Sequence, residues 1–107
     1  MQIGIESGTD ANGRTVLTVS GAIDVQSRDR LGAAGREVLT GGADALVLDL
    51  AKVTFIDSTG IGTLIELGHD AEDADAALVI RNPSARVTRI LQLTGLEDAW
   101  PVETPTP

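Results

Sequence analysis

The sequence predicts one α/β domain: a mixed sheet of four to five strands with an N-terminal β-hairpin and three main helices packed against it. Three observations predict it. A turn signal near the start separates two segments that alternate apolar and polar residues. Two short apolar runs, Ala45–Leu50, interrupted only by Asp49, and Ala77–Ile80, have the length of buried strands. The segments before, between and after those runs carry apolar residues at helical spacing. With 107 residues the chain has room for one hydrophobic core.

Ile3 and Ile5 alternate with polar neighbours, and Thr15-Val16-Leu17-Thr18-Val19 follows Asp10-Ala11-Asn12-Gly13. Asn12 and Gly13 both tolerate positive φ, so this step closes a hairpin. Gly21-Ala22-Ile23-Asp24 reads as a strand end and turn. Leu31, Ala34, Gly35, Val38 and Leu39 then form one helix face, which Gly41-Gly42 ends. The Ala45–Leu50 run is typical of a central strand covered on at least one face. A second helix begins near Ser58 with Ile61, Leu64, Ile65 and Gly68 along its inner stripe. After the strand at Ala77–Ile80, a third helix has Asn82 as cap, Pro83 in its first turn and Val87, Ile90 and Leu91 inside. Thr94-Gly95 ends it. Trp100-Pro101-Val102 adds a short edge strand. The domain thus spans 1–102, and 103–107, rich in Thr and Pro, is expected to form a flexible tail. Strands joined through helices run parallel, while the hairpin contributes an antiparallel edge.

Composition narrows the function. Phe55 and Trp100 are the only aromatic residues, so Leu, Ile, Val and Ala must build the core. Without cysteine there is neither a disulfide nor a thiolate metal site. No apolar run approaches the ~20 residues of a membrane span, and no basic segment precedes a signal-like stretch, so the expected location is the cytoplasm. Acidic residues outnumber Lys and Arg by 16 to 8, for a net charge of −8. Such a surface keeps a small domain soluble and repels nucleic acid, whose binding rests on cationic contacts. A protein partner with a basic face fits it better.

The chemistry concentrates in Val53-Thr54-Phe55-Ile56-Asp57-Ser58-Thr59-Gly60-Ile61-Gly62, where a buried strand gives way to a helix. Functional groups of open α/β sheets gather at such strand ends. Ser58 falls at or beside the helix N-cap, with Gly60 and Gly62 just inside. Each glycine costs roughly 1 kcal/mol relative to alanine there. One reason to accept that cost is access, since without side chains another protein's backbone can come close to Ser58. Spacing alone leaves Ser58 two roles, a helix cap or an exposed functional hydroxyl. Catalysis has less support. Gly60-Ile61-Gly62 lacks the third glycine of a dinucleotide loop, there is no phosphate-loop Gly-Lys-Ser/Thr, and Ser58 is not in a Gly-x-Ser-x-Gly elbow. His69, the sole histidine, lies ~16 Å from Ser58 along the same helix, too far to act as its base. No enzyme activity, metal or cofactor is expected.

Taken together, Gly21–Asp24, Leu46–Gly62 and Arg81-Asn82-Pro83-Ser84 through Thr94-Gly95-Leu96 resemble the STAS domains, specifically the bacterial anti-sigma factor antagonists, from about Ile3 to Val102. The resemblance implies that Ser58 is phosphorylated by an anti-sigma factor that is itself an ATP-dependent serine kinase. By the same likeness, the unphosphorylated form binds that kinase and frees the sigma factor, and a PP2C-type phosphatase resets the cycle. It further implies a partner-binding surface of Asp24, Asp57, Ser58, Thr59, Gly60 and Gly62. Asp24 would orient the Ser58 hydroxyl or meet the partner; capping the following turn is its alternative role. Thr59 is a second possible acceptor. The rival reading is a STAS scaffold of a transport or stress-sensing complex that binds partners without a phosphorylation cycle; the intact Asp57-Ser58-Thr59-Gly60 argues against it.

Overall fold

The structure, a computed structural model, describes residues 3–104. Its elements follow the order β1 (Ile3–Thr9), β2 (Thr15–Ile23), α1 (Arg28–Thr40), β3 (Ala45–Ile56), α2 (Ser58–Asp73), β4 (Ala77–Arg81), α3 (Ala85–Leu93) and β5 (Val102–Glu103). The five strands lie in one sheet in sequential order. β1 pairs antiparallel with β2, and every later pairing is parallel. This is the expected topology, with Val102 in the short edge strand. The hairpin turn uses only one left-handed residue, Gly13 at φ 79°. Asn12 instead donates its N–H to the Asp10 carboxylate at 3.0 Å, an Asx turn that removes the need for a second.

Alternation along each strand divides the core. Leu17, Val19, Leu46, Leu48, Leu50, Leu78 and Ile80 point to the face that the helices cover, and all are buried with Leu31, Leu64, Leu67 and Val87. Burying a leucine of this kind stabilises the fold by about 1.5–3 kcal/mol. Val16, Val47 and Val79 form a separate buried cluster on the opposite face. Four charged side chains bridge the ends of strands on that side. Arg14 gives Glu103 two hydrogen bonds of 2.9 and 2.8 Å, and Arg81 reaches Asp10 at 2.9 Å and Glu103 at 3.2 Å. The boundary expected after 102 therefore falls inside β5. Glu103 is a strand residue tied to arginines 89 and 22 positions away, a partnership that local composition cannot reveal. Residues 105–107 of the expected tail lie outside the described residues.

Two helix assignments shift. α2 turns Ile61, Leu64, Leu67, Gly68 and Ala71 inward, and Ile65 is exposed. The cap of α3 is Ser84, whose hydroxyl accepts from the Val87 N–H at 3.3 Å. Asn82 is not the cap: it is left-handed at φ 48° and donates its N–H to the Glu103 carbonyl at 2.8 Å, extending the β4–β5 ladder. Pro83 consequently precedes the helix.

Candidate functional site

The long central strand β3 carries the chain to one edge of the sheet, where Ile56 pairs with Ile23 of β2. Asp24 and Asp57 are the next residues of the two strands, so they emerge side by side at that edge. The Asp57 N–H also donates to the Ile23 carbonyl at 3.4 Å, pinning the start of α2 to the end of β2.

Asp57, not Ser58, caps α2. Its backbone is extended and its carboxylate accepts from the Gly60 N–H at 3.0 Å. Ser58 is the first helical residue and is exposed, its hydroxyl outside the cap. The two roles that spacing left to one serine thus fall to two residues. Asp24 does cap its own turn: one carboxylate oxygen accepts from the N–H groups of Gln26 at 3.0 Å and Ser27 at 3.1 Å. Ser27, which sequence reasoning missed, is buried and locks this turn. Its hydroxyl donates to the Ala22 carbonyl at 2.6 Å and accepts from the Asp24 N–H at 2.9 Å. The turn leaves Val25 largely exposed beside Asp24.

The two glycines differ. Gly60 is buried, and a Cβ there would lie 2.5 Å from the Ile23 carbonyl oxygen and 2.8 Å from Ile56 Cγ1. Its lack of a side chain lets α2 seat on the sheet. Gly62 has nothing within 4 Å of where a Cβ would be, so of the two it alone faces open space. Thr59 is half-buried, and its carbonyl accepts from the Thr63 hydroxyl at 3.3 Å. Among the described residues, His69 is exposed and no group of His, Cys, Asp and Glu could hold a metal ion.

Ser58, Thr59 and Gly62 line one wall of a cleft of about 440 Å³ between α1 and α2, opposite Arg28, Gly32 and Arg36. The arginines were not singled out from sequence, because only the packing of α1 on α2 brings them to the serine. The signal for that packing was present in Gly35, which is buried closely against Leu67 of α2 and Leu46 of β3.

Residues 7–103 match the family described as Mlab, STAS domain. The chain belongs to the STAS domain family. This STAS domain is 31% identical over 102 residues to the anti-sigma-B factor antagonist of Staphylococcus aureus, across 92% of this chain and 90% of that one. It is 32% identical to the solved anti-sigma factor antagonist of Mycobacterium paratuberculosis, with a TM-score of 0.77 over 98% of this chain and 87% of the other. The same fold occurs in the anti-sigma factor antagonist SpoIIAA in its unphosphorylated form, at 20% identity and TM-score 0.78, covering 96% of this chain and 89% of that one. The phosphorylated form of SpoIIAA, from Bacillus, gives 19% identity and TM-score 0.73 over 96% and 92% of the two chains. These relatives place the STAS domain among the anti-sigma factor antagonists. Among the described residues, no helix is long and apolar enough to cross a membrane.

Proposed function

We propose that this protein is a cytoplasmic binding protein, not an enzyme, that sequesters an anti-sigma factor serine kinase and so releases the kinase's sigma factor. Phosphorylation of Ser58 switches the binding off. The observation that carries this reading is the division of labour at the start of α2. Asp57 makes the cap, so Ser58 stands exposed with a hydroxyl that the fold does not need. In the transfer, Ser58 Oγ forms a bond to the γ-phosphorus of ATP, the bond to the β-phosphate oxygen breaks, and the hydroxyl proton leaves to a base of the kinase. A PP2C-type phosphatase restores the serine by hydrolysis. The names of the relatives support the partner class, and the existence of SpoIIAA in both forms supports a fold that tolerates both.

Phosphorylation adds about −1.5 to −2 charges at the first residue of a helix. Free amides and the helix dipole accept negative charge there, so the domain stays folded. Asp24 and Asp57 at the same sheet edge keep the modified face strongly acidic. A partner packed against Ser58, exposed Val25 and bare Gly62 would have to bury that phosphate, and binding fails. The decisive experiment incubates the protein with candidate anti-sigma kinases and ATP, maps phosphate by mass spectrometry and repeats with Ser58→Ala. A single phosphate on Ser58, absent from the variant, supports the cycle. Phosphate on Thr59 instead relocates the switch. Binding with no phosphate on either residue across all cognate kinases favours the non-cycling scaffold.

A further inference from the structure

The charge in the α1–α2 cleft gives Ser58 a second set of neighbours, whose role rests on Ser58 being the phosphorylated residue. We propose that Arg28, assisted by Arg36, closes across the cleft onto the phosphate of phosphorylated Ser58, so that the modified domain holds its own phosphate and fills its own binding cleft.

Register places Arg28 there. α1 and α2 both begin at the sheet edge where Ile23 and Ile56 pair, and both return antiparallel to the same parallel strands. Gly35 of α1 meets Leu67 of α2. Counting back seven residues from Gly35 gives Arg28, and the same step from Leu67 gives Gly60, so Arg28 stands level with the first turn of α2. Arg28 and Ser58 accordingly line the same cleft. Arg36 folds back along its own helix: its guanidinium nitrogens lie 3.0 and 3.1 Å from where a Gly32 Cβ would be. Gly32 and Gly62 keep the space between the helices clear for these long side chains.

The arginines are weakly engaged. Arg28 meets Asp29 at 3.8 Å with the Asp29 carboxylate almost wholly exposed, and Arg36 meets Asp70 at the same 3.8 Å. Arg14 and Arg81, by contrast, are committed at 2.8 to 3.2 Å on the far face of the sheet. Asp29 and Glu66 also line the cleft, so its four charges cancel before modification. A phosphate dianion with three acceptor oxygens outcompetes carboxylates held at such distance, because guanidinium binds it through paired, charge-assisted hydrogen bonds. Asp24, Asp57, Asp29 and Glu66 oppose the phosphate, which makes the arginines the groups that decide its environment.

The test installs phosphoserine at position 58 by nonsense suppression, without any kinase, and follows the phosphate by phosphorus NMR against pH. An exposed phosphoserine loses its second proton near pH ~6. The expected midpoint is about half a pH unit or more below that of the Arg28→Ala/Arg36→Ala double variant, with Arg28→Ala alone giving the larger part. Arg28→Lys should recover part of the difference. Both side chains are about half exposed, so the variants fold, which circular dichroism verifies. Identical midpoints in all forms overturn the proposal. So does equal binding of inorganic phosphate to the unmodified domain, which would make the cleft a general anion site. Because the phosphoserine is incorporated during translation and not by a kinase, a failed clasp leaves the kinase experiment intact, and a negative kinase experiment leaves the clasp measurable.

Discussion

Replacing Gly60 by alanine separates the internal role of this glycine from the accessible role of Gly62. A Cβ at position 60 would lie 2.5 Å from the Ile23 carbonyl oxygen, 2.8 Å from Ile56 Cγ1 and 2.9 Å from Ile23 Cγ2. The nearest of these is a backbone atom that already accepts from the Asp57 N–H. It cannot rotate away as a side chain would. Relief requires the first turn of α2 to lift off the sheet, and overpacking of this kind costs about 1–3 kcal/mol. Alanine in place of glycine returns about 1 kcal/mol of helix propensity. The net expectation is a loss of up to about 2 kcal/mol, or up to roughly 10 °C in melting temperature for a domain of this size. Gly62→Ala meets nothing within 4 Å and should gain about 0.5–1 kcal/mol. Urea unfolding followed by circular dichroism reads both. Binding to the kinase should then weaken in the stable Gly62→Ala domain. If Gly60→Ala proved as stable as Gly62→Ala, the assignment of separate roles would be wrong.

Ser58→Ala should keep kinase binding and Ser58→Asp should lose it, while both melt within a few degrees of the parent; unfolding of the Ser58→Asp variant would refute interface failure as the mechanism. Asp57→Ala removes the cap and should cost about 1 kcal/mol in urea unfolding, with most of it recovered in Asp57→Asn. Acid should weaken the bridge on the far face of the sheet. Burial pushes the Asp10 carboxyl up, but hydrogen bonds from the Arg14 N–H and the Arg81 and Arg14 guanidiniums outweigh it and hold the group well below the usual carboxylate range. The hydrogen-bonded Arg14 guanidinium likewise lowers Glu103. Both folded values lie below the unfolded ones, so this stabilisation is complete above the ordinary carboxylate range near pH ~4 and is lost as pH falls through the folded values. Thermal melts from neutral pH downward should therefore show a shallower acid dependence in Arg14→Ala; an unchanged dependence would exclude the bridge as its source.

Much of the fold was legible because its signals are local. The Asn12-Gly13 turn, the apolar run at Ala45–Leu50 and the Gly41-Gly42 stop each act over a few residues, and a helix between two strands forces them parallel. Where prediction slipped, a distant partner decided. Asn82 had the chemistry of a cap, but the strand formed by Val102–Glu103 drew its N–H into the ladder and left the cap to Ser84. Glu103 had the neighbours of a loose tail, yet Arg14 and Arg81 hold it. Ile65 matched a helical stripe that Leu67 occupies, because Gly35 lets α1 press on that leucine. At the candidate site, the Asp-Ser-Thr-Gly segment singled out Ser58, which lies exposed at the start of α2. The arginines facing it could not be found from spacing, since 30 residues separate Arg28 from Ser58 and only the parallel return of two helices unites them.

That geometry bears on how the proposed switch would work in so small a domain. A phosphorylated residue that also capped a helix would couple modification to stability, and each turn of the cycle would risk unfolding. Here the cap is Asp57, the seat of the helix is Gly60, and the neighbouring turn is locked by Ser27. None of the three needs the Ser58 hydroxyl. Under the proposed cycle, charge added at Ser58 would meet helix amides and cleft arginines rather than the core, and its effect would be confined to what can dock on the surface. A fold arranged in this way can pass between two binding states with its packing unchanged.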